Sequence, residues 1–449
     1  MRGADGLGRL TTFFTVIKFR RCLIINAPMP TEYRIARLPV TQRTFSATRG
    51  EPATLVVIDE AGMVGTDDLR QLLTATTQAG AKTVLVGDAS QLAPVKARGG
   101  MFAQLCTDLP WAQHLSEVWR MADPEERTAS LALRDGEPPA RRHAVDWYRS
   151  HDRLHCGDAI TMAADALAAY NADTGLGRDA LLVCDTTEMA DALNLRIHTE
   201  RIDRNAPYVR GARGQQISVG DLIISRRNDP TIVFHHSTPD AESLPSVRNG
   251  NRWRVASVDP KTNHVAAERL DDKARVVFEN DYVRDHLSLA YAVTVHSAQG
   301  VTADASLAVL REDTSRNLLY VAMTRGRHAN HTYVYERSTE ASEFGHDDPA
   351  GTHVGQRGDS REAATLIHGI LANDEPVITA HDYAAQASNE ALPDRVRDLL
   401  DMRSAVSQHR NEAYQTWKSA TEHSRCGEVA EQRHVDRSQH RNTDHGLEL

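Results

Sequence analysis

The chain has 449 residues, is 41% hydrophobic and 25% charged, and carries a net charge of −9. That composition is ordinary for a globular protein of two to four domains. It excludes a wholly basic nucleic-acid coat protein, though not a local basic groove. No run approaches the ~20 apolar residues of a membrane span, and no apolar stretch with a small-residue cleavage site marks a signal peptide. The five cysteines, Cys22, Cys106, Cys156, Cys184 and Cys426, form no C-x-x-C pair. Zinc and disulfide frameworks are therefore not expected, and a reducing, cytoplasmic setting is.

In chain order, residues 1–50 read as an atypical segment. TTFFTVIKF (11–19) suits a strand, but Pro28, Pro30 and Pro39 interrupt the stretch beyond it. A regular pattern then begins: a strand at 54–58, a helix near 67–79 and a strand at 83–87. Thr66 or Asp67 suits the helix cap and Gly80 its end. Near-continuous apolar strands alternating with helices predict a parallel sheet covered on both faces. A helix at 160–170, a strand at 180–185 and a helix at 187–202 continue the α/β pattern. Residues 211–283 change texture, with short alternating strands and turns at Gly220-Asp221, Asn249-Gly250 and Asp259-Pro260. They predict a small antiparallel barrel inserted in an α/β domain. The α/β pattern returns at 288–335. Residues 337–449 read as a polar linker, a helix near 394–420 and a disordered charged tail.

Two strand ends carry acids. TLVVIDEAG (54–62) ends in Asp59 and Glu60, and TVLVGDASQL (83–92) ends in Gly87, Asp88 and Gln91. Ligands gather beyond the carboxyl ends of parallel strands. There an aspartate suits Mg²⁺, and a neighbouring glutamate suits the water that attacks a phosphate. The bland alternative for each is a solvated loop or a helix cap.

Taken together these strings resemble superfamily 1 helicase motifs. IDEAG (58–62) resembles motif II and GDASQL (87–92) motif III. VWRM (118–121) resembles the arginine motif that comes next, LAYAVTVHSAQGVTAD (289–304) motif V, and LLYVAMTRGRHANHTYVY (318–335) motif VI. The order and flavour are those of the RecD-like branch, closest to the helicase half of MobF-type conjugative relaxases, over about residues 51–336. The resemblance implies two RecA-like lobes: a partial first at 51–130, and a second at 131–336 with an SH3-like barrel inserted. It implies ATP and Mg²⁺ as cofactors and single-stranded DNA as partner, with 5′ to 3′ movement. A relaxase or another conjugation protein is a further implied partner.

The resemblance also implies residue roles. Asp59 would hold Mg²⁺ and Glu60 would activate water. Gly87, Asp88, Gln91 and Gly300 would border the nucleotide. Arg120 and Arg325 would meet the γ-phosphate, work that suits a planar, always charged guanidinium. Taken alone, each arginine fits a surface ion pair better. Thr294, His296 and Gln299 would hold the strand backbone through uncharged groups; His296 alone reads as a structural histidine. Many relatives place a basic residue where Ser297 stands. Arg226, Arg227, Arg252, Trp253 and Arg254 are candidates for the strand channel of the barrel, although alternating spacing favours barrel core for Trp253.

One part is missing. No G-x-x-x-x-G-K-[ST] string occurs in the chain, and only six lysines do. GAKT (80–83) enters a strand instead of a helix, so it offers no helix N-terminus to a phosphate. Neither motif Ia nor a nicking domain is recognisable. Two accounts fit: a truncated piece of a longer relaxase-helicase, or a partner chain that supplies the front of the ATPase. Little ATP turnover by the chain alone is expected. The alternative function is a non-catalytic module that binds single-stranded DNA or a partner.

Overall fold

The computed structural model describes residues 22–25, 34–36, 54–94, 97–114, 119–232, 234, 247–336, 355–373 and 379–443. The expected strand at 11–19 lies outside them. The chain divides into two units. The smaller takes residues 20–89, 93–116 and 376–449, and the larger takes chiefly 90–92 and 117–375.

The smaller unit is built on one five-stranded sheet. Its strands are β1 (Cys22–Ile25), β2 (Arg34–Ala36), β3 (Thr54–Ile58), β4 (Lys82–Gly87) and β5 (Ala112–His114), in the order β2-β3-β4-β1-β5. β2, β3 and β4 are parallel, whereas β1 runs antiparallel to both β4 and β5. The sheet is thus mixed, and two strands come from the segment read as atypical. Helix α1 (Thr66–Gln78) joins β3 to β4, and α2 (Met101–Asp108) precedes β5. Val56, Ile58, Leu69, Leu85 and Phe102 form a small core. Val57, which points the other way from β3, is 37% exposed, so that face is not fully covered. Neither expected residue caps α1. Thr66 Oγ1 donates instead to the Gly99 carbonyl, and Asp67 binds Arg70 and Gln71. Gly80 does close the helix, at φ 68°.

The larger unit opens with α3 (Pro124–Asp135) and α4 (Pro138–Ser150). Ala129 and Leu133 of α3 enter its main core, so the boundary falls before α3 and not after residue 130. Next come β6 (Leu154–Gly157), α5 (Ala159–Gly175), β7 (Ala180–Cys184) and α6 (Thr187–Arg201). Asp158 and Thr186 cap the two helices, each accepting a backbone N–H. The insert contains the hairpin β8 (Tyr208–Arg210) and β9 (Gln216–Ser218), then β10 (Leu222–Ser225), β11 (Arg252–Asp259), β12 (His264–Arg269), β13 (Arg275–Phe278), α7 (Asn280–His286) and β14 (Leu287–Leu289). Its five-stranded sheet has the order β13-β12-β11-β10-β14 and is antiparallel throughout. The chain returns through β15 (Ala292–Thr294), α8 (Val295–Ala298), β16 (Ala303–Arg311), α9 (Arg316–Ala322) and β17 (Gly326–Tyr335). These complete a wholly parallel sheet, β15-β7-β16-β17-β6. β7 is buried at every position, the mark of a central strand covered on both faces.

One buried carboxylate joins insert to lobe. Asp221, wholly buried, accepts from His198 Nδ1 of α6 (2.9 Å), the Tyr291 hydroxyl (2.8 Å) and the Ser218 backbone N–H (2.7 Å). Three donors compensate its desolvation.

The region read as linker and tail is more structured than expected. Helix α10 (Ser360–Ala372) begins in a capping box of Asp359 and Glu362 and buries Ile367, Ile370 and Leu371 in the core of the larger unit. Helices α11 (Ala380–Gln386) and α12 (Asp394–Thr443) group with the smaller unit. Thr379 Oγ1 donates to Gln104 Oε1 at 3.0 Å, and Arg403 pairs with Asp108 at 2.6 Å, both anchoring to α2. The last residues before 444 are helical instead of disordered.

Candidate nucleotide and nucleic-acid site

In the smaller unit, β3 delivers Asp59 and Glu60 to its carboxyl end. Asp59 is exposed, and its Oδ1 accepts the Glu60 backbone N–H at 2.9 Å. Glu60 adopts the left-handed conformation, φ 53° and ψ 38°. A side chain there costs about 1–2 kcal/mol, and such strain gathers at functional turns. Asp88 comes directly after β4 and is 8% exposed. The two strand ends lie against each other because both carry glycine. A Cβ on Gly87 would meet the Gly62 nitrogen at 2.9 Å, and one on Gly62 would meet the Asp88 carbonyl at 2.8 Å. Gly87, expected at the nucleotide, thus has a packing role: it lets the two acidic turns approach.

Asp59 suits Mg²⁺, which takes one or two carboxylates and leaves its other positions to water and phosphate. Among the described residues no group of three or more His, Cys, Asp or Glu could hold a metal unaided. Among the described residues GAKT offers no phosphate cradle: Gly80 closes α1, and Lys82 sits in β4 with burial pulling its pKa down.

In the larger unit, two arginines 205 positions apart meet at one residue. Arg120 donates to the Thr324 carbonyl, and Arg325 Nη2 donates to Thr324 Oγ1 at 2.8 Å. Arg325 also donates from Nε to the Val321 carbonyl at 2.8 Å and is only 2% exposed. Here it is turned inward, so a phosphate contact would require its side chain to swing out. Thr324 was visible in the motif but carried no expected role.

The 294–300 segment is a second cluster. Thr294 caps α8, its Oγ1 lying 2.8 Å from Ser297 Oγ. Arg226, from the barrel, donates to that same Ser297 hydroxyl at 2.5 Å. Burial, helped by the nearby Arg213 charge, lowers the Arg226 pKa. Gln299 Nε2 donates to Gln91 Oε1 at 3.1 Å. His296 is exposed, and Gly300 turns the chain at φ 81°. The structure therefore brings together Thr294, Ser297, Arg226, Gln299 and Gln91.

Two barrel candidates fall away. Trp253 is wholly buried, its Nε1 donating to Ser225 Oγ at 3.3 Å, and it packs on Phe278. It belongs to the barrel core. Arg252 is 7% exposed and forks onto both Asp179 oxygens, at 3.1 and 3.2 Å. It is a structural ion pair. Arg227 and Arg254 are exposed, the first beside His286 Nε2 at 3.3 Å and the second reaching the Gly220 carbonyl at 3.4 Å. Alternation along β11 puts Trp253 on the core face and Arg254 on the other; Arg252 shares the face of Arg254 and is covered through its pairing with Asp179.

Three family models match: an AAA domain over residues 30–159, the Rv2311 SH3-like barrel domain over 209–288, and the UvrD-like helicase C-terminal domain over 289–331. An uncharacterized protein of Mycobacterium tuberculosis, Rv2311, is 50% identical over 102 residues, which are 22% of this chain and 59% of that protein. The conjugal transfer protein TraA of Agrobacterium fabrum is 29% identical over 292 residues, 64% of this chain and 25% of TraA. The ATP-dependent RecD2 DNA helicase of Deinococcus radiodurans is 29% identical over 366 residues, 73% of this chain and 45% of RecD2. The chain thus spans about three fifths of the first relative and a quarter of TraA. Among the described residues no helix is long and apolar enough to cross a membrane. By these matches the chain is a relative of the superfamily 1 helicases of the RecD-like, TraA type.

Proposed function

We propose that this chain is the motor portion of a conjugative DNA-processing protein, moving along single-stranded DNA at the expense of ATP. One observation carries the reading. In a single unit, the motif III glutamine Gln91 bonds the motif V glutamine Gln299, while Thr294 and Arg226 share the Ser297 hydroxyl. Residues of motif III and motif V are thereby linked within the larger unit. A motor needs such a link to couple nucleotide state to grip. In this reading Asp59 holds Mg²⁺, Glu60 orients the water, Arg120 and Arg325 stabilise charge on the transferred phosphoryl group, and Thr294, His296 and Gln299 hold the strand.

ATP supplies the phosphoryl group whose transfer drives movement. The chain's own acids fit that role, whereas its sequence holds no G-x-x-x-x-G-K-[ST] string. Turnover by this chain alone is therefore expected near background. The test is steady-state ATP hydrolysis with and without single-stranded DNA, with Glu60→Gln as control. Robust DNA-stimulated turnover that Glu60→Gln abolishes would overturn the inactivity expectation. The second reading is a passive binding module, supported by the same missing cradle. Strand affinity that responds to a non-hydrolysable ATP analogue favours the motor, and affinity indifferent to it favours the module.

A further inference from the structure

The β8–β9 hairpin of the barrel borders a cavity of about 840 Å³. Tyr208, Arg210, Arg213, Asn263, Asn280 and Arg284 line it. None of them belongs to the cluster around Ser297. Its floor is fixed: Asn263 Oδ1 accepts the Arg210 backbone N–H at 2.9 Å, while its Nδ2 donates to the Arg210 carbonyl (3.2 Å) and to Asn280 Oδ1 (3.0 Å). One side-chain amide thereby ties the hairpin to the start of α7.

The rim is cationic and aromatic. Tyr208 is 37% exposed, and the Arg210 guanidinium lies over its ring, 5.8 Å from the centroid. Arg213 is held by Asp191 at 2.7 Å, and Arg284 by Asp285 at 2.9 Å and Asp281 at 3.3 Å. For Arg210, no carboxylate among the described residues lies within pairing distance. The Arg213 charge also adds to the burial that lowers the Arg226 pKa, against an opposing pull from Asp191, and Arg226 is bonded to Ser297. Aromatic rings beside arginines suit unpaired bases and their phosphates, because every base has a face to stack and every nucleotide a charge to neutralise.

We propose that this cavity is an additional subsite for single-stranded DNA, with Tyr208 stacking a base and Arg210 and Arg213 neutralising the adjoining phosphates. It rests on the strand-binding reading above and extends it to a face of the barrel that Arg252 and Trp253 do not form. A strand is favoured over a free nucleotide because Arg213, which lines the cavity, acts on Arg226, and Arg226 is bonded to Ser297 of the segment assigned to the strand.

The test is fluorescence anisotropy of a labelled oligothymidylate on the full chain, over a salt series. Tyr208→Ala is expected to weaken binding roughly five-fold or more, and Tyr208→Phe, which keeps the ring, to restore it. Arg210→Ala is expected to weaken binding and lower the slope of log K against log salt by roughly 0.7. Photocrosslinking of iodouracil-containing strand should label Tyr208. His296→Ala is the comparator for the strand site already assigned. If His296→Ala weakens binding while Tyr208→Ala and Arg210→Ala do not, this subsite is wrong and the strand reading stands. If the unaltered chain binds no strand, the strand reading itself fails. Thymidine monophosphate competing as well as the strand would also overturn the proposal, in favour of a nucleotide pocket.

Discussion

Gly326 stands where the chain leaves Arg325 and enters β17. A Cβ there would be driven onto the Ala329 carbonyl and the Asn330 side-chain oxygen, which itself accepts the Gly326 N–H at 2.7 Å. Neither group can retreat easily, since the Asn330 amide donates to the buried Glu126 at 2.9 Å. Gly326→Ala is expected to cost about 1–3 kcal/mol, read as a lowered midpoint in chemical denaturation. Glu60 presents the opposite case. Its left-handed backbone favours glycine, so Glu60→Gly should raise stability by up to about 1 kcal/mol while removing the acid. A lowered midpoint would show that the carboxylate itself holds the turn. The acids and glycines of both strand ends were legible in the sequence as motifs. Their mutual packing was not, because it depends on a Cβ that is absent. The inward turn of Arg325 was equally hidden: a motif names a residue type, and a rotamer answers to its neighbours.

Among the elements, β6 and β17 lie side by side and carry a histidine pair. His155 stacks on Tyr333 at 4.6 Å and on His331 at 5.9 Å, and Arg153 Nη1 lies 2.7 Å from His331 Nε2. Facing a guanidinium, that nitrogen must accept, so His331 is neutral. Burial first, then the charges of Arg153 and His155, lower its pKa to about 4, against a partial opposing pull from Asp152. Between about pH 6.5 and 4 the unfolded chain binds the proton that the folded chain refuses. The contribution is therefore complete above pH 6.5 and declines as pH falls towards 4, by on the order of 3 kcal/mol. Unfolding titrations at pH 7 and pH 5 should show the loss, and His331→Gln should reduce it. At this scale the sequence was legible for β3, β4, β7, α6 and the barrel insert, where periodicity and turn residues agree. It failed for β1, which pairs with strands far along the chain, and for β2, a three-residue strand too short to show a pattern. It failed again for α10, whose apolar stripe is short and set among polar residues.

For the whole molecule, a net charge of −9 means that the strand binding proposed above would have to rest on local clusters, and it would weaken with salt in proportion to the phosphates they neutralise. The segment from Thr379 to Arg403 is also more engaged than composition implied. Arg403 of α12 and Thr379 before α11 both reach α2, on Asp108 and Gln104. Arg403→Ala is expected to raise hydrogen exchange in α2 and to cost about 0.5–1.5 kcal/mol, since the pair is partly exposed. Unchanged exchange in α2 would show that α12 is anchored elsewhere. The polar texture of 337–449 concealed this, because single ion pairs leave no periodic mark in a sequence.

Asp221 gives the inserted barrel a dependency. Only one of its three donors, the Ser218 N–H, comes from the barrel strands themselves; His198 and Tyr291 flank the insert on either side in the chain. An excised barrel spanning 209–288 would keep a buried anion while losing two of the groups that quiet it. Such a piece would have to open towards water or take up a proton. Insert and host should accordingly melt in a single transition, and grafting this barrel into another protein would succeed only if that histidine and that tyrosine travel with it.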